Sequence, residues 1–142
     1  VGAIYATVIG ALQDEIGTSF SNEYKSLYGE NASPNGGGQT YQALMAYSVA
    51  AAMAGGPGAP YEEEQNRAVA DRIKGLIYRG PMGTMRIRPD TQSAYSYPTE
   101  TNDPSLGMPH IFSQVHDKTQ DGVLIAPEPY QKAKFIKPSW MK

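Results

Sequence analysis

The chain has 142 residues, 40% of them hydrophobic, and a formal net charge of −2. Such a chain can bury a core, so its composition indicates neither disorder nor a membrane class, and no run approaches the ~20 apolar residues of a bilayer span. The near-neutral charge gives no reason to expect nucleic acid, and the absence of cysteine excludes a disulfide framework, a thiol nucleophile and a Cys-ligated zinc. Lys132, Lys134, Lys137 and Lys142 are dispersed among prolines and aromatics and read as a solvated tail. The chain opens at Val1, inside an apparent strand and with no signal-peptide pattern, as expected of a mature or excised chain.

In chain order, residues 3–9 are β-branched and aromatic and predict a short buried strand ending at Gly10. Asp14 is a candidate N-cap for a helix with Ile16, Phe20, Tyr24 and Leu27 on one face, and Gly29 is placed to end it. Residues 31–38 contain Pro34 and Gly36-Gly37-Gly38 and predict a loop, with a second helix from about Gln39 to Ala54. A third helix is expected from near Tyr61. Glu62, Glu63 and Glu64 sit in its first turn, where the helix dipole favours negative charge, and Val69, Ile73 and Leu76 form its stripe. The alternation in 84–88 predicts a half-exposed strand, and residues 90–109 a long polar connection. Two further strands are expected over 110–116 and 122–126, joined by the turn 117–121. A proline- and aromatic-rich tail is then expected to drape over a surface.

Taken together, Gly2 to Thr7, Tyr24-Lys25-Ser26-Leu27-Tyr28-Gly29, Thr40 to Leu44, Gly80-Pro81-Met82-Gly83-Thr84-Met85-Arg86-Ile87, Leu124 to Tyr130 and Pro138-Ser139-Trp140-Met141 resemble the C-terminal part of type I periplasmic solute-binding proteins of ABC importers. Within that family the chain is most similar to the branched-chain amino acid and amide/urea subfamily. The resemblance runs through the whole chain in order, whereas a complete family member is more than twice as long. It implies an α/β fold that is incomplete on its own. Residues 1–11 would be a strand of the second lobe and a hinge crossing, 12–98 would pack on the first lobe, and 99–142 would hold the return crossing, second-lobe strands and tail.

The implied function is an extracytoplasmic or periplasmic receptor that captures an amino acid, amide or urea-like ligand by hinge closure and serves ABC permease subunits. The resemblance also implies a partner in the N-terminal remainder of the protein, as a second chain, with a homo-oligomer as the other way to cover the exposed stripes Ile16/Phe20/Leu27 and Val69/Ile73/Leu76. The family places a ligand contact before the second helix, which assigns candidate ligand residues to Gly36, Gly37, Gly38, Gln39 and Tyr41. Glycine here replaces the family's usual aromatic, and a helix N-terminus with accessible N–H groups suits an anionic ligand group. The same glycines are equally compatible with a simple flexible turn. Tyr5 on the first strand either faces the cleft or packs in the core. The family's main anchors for the ligand lie upstream of Val1.

No constellation supports catalysis or a cofactor. Ser48 and Ser93 lack the flanking glycines of a nucleophile elbow, and no Gly-Lys-Ser/Thr follows the three glycines. His110, His116, Asp117 and Asp121 raise a metal reading, but two histidines six apart lack a third well-placed ligand, and a solvent-facing pair is the expectation. The other readings are a ligand-sensing domain of a regulator with the same fold and a non-catalytic interaction module.

Overall fold

The structure, a computed structural model, describes residues 1–8, 10–118 and 122–142. Ile9 of the expected first crossing, and Asp121 of the metal reading with its turn, lie outside the described residues. Two modules share the chain. One is a three-stranded antiparallel sheet, and the other is a helical layer carrying a β-hairpin.

The sheet is built from β1 (Ile4–Thr7), β6 (Ile111–Gln114) and β7 (Val123–Ala126), with β6 central. β1 pairs with β6 from Ile4 opposite Gln114 to Thr7 opposite Ile111. The expectation of a buried first strand is corrected here. β1 is an edge strand, and Ile4 and Tyr5 are 49% and 42% exposed. The sheet's small core is Leu12, Ile111 and Leu124, capped by Tyr130.

In the helical layer, α1 (Glu15–Tyr28) starts and stops where its caps direct. The Asp14 carboxylate accepts from Gly17 N–H at 2.9 Å, and Gly29, at φ 96°, donates to the Lys25 carbonyl at 2.8 Å. The second helix, α2 (Pro34–Met53), overturns the expected loop, because all three glycines lie in its first turns. Pro34 presets the entry dihedral at N1, and the glycines admit α1 closely. A Cβ on Gly37 would stand 2.4 Å from the Tyr24 ring, and one on Gly38 3.3 Å from Phe20. Close interhelical packing therefore offsets a helix-propensity cost of about 1 kcal/mol per glycine.

The third helix, α3 (Glu63–Gly75), begins two residues beyond Tyr61, with Glu62 at the N-cap position and Glu63 and Glu64 in its first turn. Its Val69 packs on Ala50 and Ala51 of α2, with Ile73 beside them. The exposed stripe expected on this helix is therefore covered by α2, whereas that on α1 stays open. Leu76 and Ile77 leave the helix. Residues Ile77–Gly80 form β2, which the sequence reading missed, paired with β3 (Gly83–Arg86). Gln42 fixes this hairpin on α2. Its buried side chain accepts from Met82 N–H at 3.0 Å and donates to Met108 Sδ at 3.4 Å.

The long connection over 90–109 is also more structured than expected. It contains β4 (Ser96–Tyr97), a 3-10 turn (Pro104–Leu106) and β5 (Met108–Pro109), with β4 and β5 paired in parallel. The turn and β5 pack on β3. Beyond β7, the tail lies along the sheet as expected. Gln114, fully buried, accepts from Ile136 N–H at 2.9 Å and donates to the Ile136 carbonyl at 2.8 Å.

Candidate functional site

Two cavities flank α1, and their chemistry differs. The first, about 730 Å³, opens between the sheet and the helical layer. Tyr5 and Thr7 of β1 and Ser113 of β6 face Thr18 and Ser21 of α1 across it, and Asn35 of α2 closes one end. Strand alternation puts Tyr5 and Thr7 on one side of β1, and helical spacing puts Thr18 and Ser21 on one side of α1.

Hydrogen bonds fix the walls of this cavity. The Tyr5 hydroxyl accepts from Gly122 N–H at 3.1 Å, which leaves its proton to donate. Gln13 donates to the Gly122 carbonyl at 3.3 Å, and Asn35 accepts from Ala11 N–H at 3.2 Å. Lys25, Glu30 and Lys118 lie on the rim and supply charge of both signs. The first turn of α2 borders the same space through Ser33 and Pro34, so the positive end of its dipole faces the cavity. Such an enclosure suits a small ligand rich in hydrogen-bonding groups.

The second cavity, about 1000 Å³, lies on the outer side of α1 and α2 and is apolar. Ile16, Leu27 and Tyr28 line it with an aromatic cluster in which Phe20 lies 5.7 Å from Tyr24 and 5.1 Å from Tyr41 between ring centroids.

The candidate ligand residues divide between these places. Tyr5 lines the polar cavity, while Gly36, Gly37 and Tyr41 line the apolar one. Gly38 is buried beside Phe20 and Met82, and Gln39 points to solvent, bordering neither. The sequence reading missed Gln13, Thr18, Ser21, Asn35 and Ser113. The polar i, i+3 stripe opposite Ile16 and Phe20 was the available signal for two of them. His110 and His116 lie outside β6. His116 shares a 3.2 Å hydrogen bond with Gln114, and among the described residues no group of three potential ligands could hold a metal ion.

Behind the cavity wall, where Tyr130 packs on Leu12, Ile111 and Leu124, burial raises its phenol above the ordinary range, so it stays a proton donor through neutral pH. The Asp14–Arg79 ion pair spans the same region and ties the start of α1 to β2.

No family model matches the chain, and no curated protein does. A solved structure from Silicibacter pomeroyi, provisionally assigned as a branched-chain amino acid ABC transporter, is 67% identical with a TM-score of 0.96. The match covers 99% of this chain and 36% of that one, so the chain spans little more than a third of its relative's length. At that identity and superposition the two share one fold over this stretch. Among the described residues, no helix is long and apolar enough to cross a membrane. The chain thus has, over its whole described length, the α/β fold of a portion of that solved structure.

Proposed function

We propose that this chain is the closing portion of an extracytoplasmic receptor that captures a small polar ligand by hinge closure and delivers it to an ABC permease. The observation that carries the reading is the polar cavity between the sheet and the helical layer, which a first crossing at the end of residues 1–11 and a second at the start of residues 99–142 would join. On this reading residues 1–11 and 99–142 move with one lobe and 12–98 with the other. A ligand that bonds Tyr5 and Ser113 on one wall and Thr18 and Ser21 on the other gains most when both approach it, which shifts the population toward a closed form. The role is capture, not chemistry, as the relative's transporter assignment also suggests.

Hydroxyl and amide lining favours an amide, urea or polar amino acid. The remaining two-thirds of the receptor would complete the site and cover the apolar face of α1. The test is calorimetry on the longer protein with acetamide, urea, asparagine and leucine, joined to small-angle scattering. Micromolar binding of a polar ligand with a fall in radius of gyration is expected. No binding by any of the four, with unchanged scattering, overturns the reading. Tyr5→Phe should weaken binding about 3- to 10-fold, the loss of one neutral hydrogen bond.

A further inference from the structure

Two tyrosines tie the tail after β7 to the chain on either side of the second crossing's start. Tyr97, on β4, is buried and donates its hydroxyl to the Glu128 carbonyl, in the tail just after β7. Tyr130, on that tail, donates its hydroxyl to the Pro104 carbonyl at 2.8 Å, in the turn between β4 and β5. Tyr97 thus bonds the helical module directly to the tail, while Tyr130 bonds the tail to the second crossing, whose turn packs on β3. The rings meet edge to face, 6.2 Å apart with an interplanar angle of 84°.

Both tyrosines are anchored at their bases. The Tyr97 carbonyl accepts from His110 N–H at 3.0 Å, which ties it to the second crossing. The tail bearing Tyr130 is strapped to β7, where Lys132 and Ala133 N–H donate to the Leu124 carbonyl at 2.8 and 3.1 Å. The Tyr130 ring covers Leu12, Ile111 and Leu124. Leu12 directly follows the first crossing and donates its N–H to the Pro81 carbonyl at 2.9 Å, and Ile111 lies just beyond the second. Neither tyrosine is among the residues lining the polar cavity.

We infer that Tyr97 and Tyr130 form a brace, with one bond across the junction and one onto the second crossing, that holds the modules in the arrangement that leaves the polar cavity open and so sets ligand affinity from outside the site. The inference rests on the receptor reading above. A hydroxyl-to-carbonyl bond is directional, and rotating one module on the other lengthens or misaligns it, whereas the ring contact tolerates small slides. Closure therefore gives up the Tyr97 bond and works against the hold of Tyr130 on the second crossing. A protein without them spends more time closed, and its apparent affinity rises with the closed fraction.

The test uses the full-length receptor and the pair Tyr97→Phe and Tyr130→Phe, which keeps both rings. Two spin labels, at Arg67→Cys on α3 and Ser139→Cys in the tail, report the distance between modules by pulsed electron resonance. Without ligand, the double Phe variant should shift the distance distribution toward that of the ligand-bound wild type. Its Kd should tighten about 3- to 10-fold, each single variant giving an intermediate value. A simple loss of packing would lower the unfolding midpoint but move neither readout this way. A Kd that is unchanged or weaker, with an unaltered ligand-free distribution, overturns the brace while leaving the receptor reading standing. Should the wild type bind none of the ligands, that reading falls, and the ligand-free distance distribution still decides on the brace.

Discussion

The junction between sheet and helices and the outer face of α1 and α2 are built from similar residues but finished differently. At the junction, tyrosines are tied down by their hydroxyls, and Leu12, Ile111 and Leu124 are each at most 3% exposed. On the outer face, Leu27, Tyr28 and Leu44 are 67%, 68% and 60% exposed, and the aromatic cluster opens into an apolar cavity. The junction is complete within this chain, while the outer face has the composition of a core with one side missing. A chain spanning 36% of its solved relative would divide in this way. The contacts at the junction are satisfied among the described residues, and the apolar outer face is left open.

The largest effect should come from Gly17. A Cβ there would lie 1.9 Å from the Leu12 carbonyl oxygen, and Leu12 cannot retreat because its N–H is held by Pro81. Gly17→Ala should cost about 3 kcal/mol or more in a urea titration, since backbone must move rather than a flexible side chain. A loss below about 1 kcal/mol would show the junction to be less rigid than its contacts imply. Gln114→Ala comes next. It removes both bonds to Ile136 from a fully buried site, strands the tail's N–H and leaves a cavity, at a cost of about 2–4 kcal/mol. Limited proteolysis should then find the tail after Tyr130 more readily cut, and an unchanged cleavage pattern would count against the clamp.

The outer face should behave in the opposite way, with an outcome that depends on what surrounds it. In this chain alone, Leu27→Asp should change stability by no more than about 0.5 kcal/mol, because the side chain is already largely in water. In the full-length protein the same change should cost about 2 kcal/mol or more if that face is covered. Equal, small effects in both would show that the face stays open in the whole receptor.

The same contrast explains how much was legible in the sequence. Asp14 and Gly29 declared the ends of α1 because capping is a local interaction between a residue and the turn beside it. The stretch Pro34 to Gly38 was misread as a loop for the converse reason. Gly37 and Gly38 are explained by the Tyr24 and Phe20 rings packed against them, and no local rule contains those neighbours. β2 was missed because Leu76 continued the spacing of Val69 and Ile73 before the chain turned extended. Tyr5 could be named from its strand. The opposite wall, Thr18 and Ser21, emerged only once the fold set α1 across from β1.

The smallest predicted effect concerns acid. Glu100, in the connection between β4 and β5, has its carboxyl held below the ordinary range, first by the backbone N–H of Ser96, with the Ser96 hydroxyl and Arg88 contributing. A depressed folded-state pKa means the unfolded chain takes up a proton first as pH falls. The stabilisation is complete above the ordinary value of 4.5 and is lost as pH drops through the lower, folded value. Glu100→Gln should therefore leave stability near neutral pH slightly lower and make the acid limb of the unfolding curve shallower below pH 4.5. An acid limb in Glu100→Gln that matches the wild type would assign the acid response to other carboxylates.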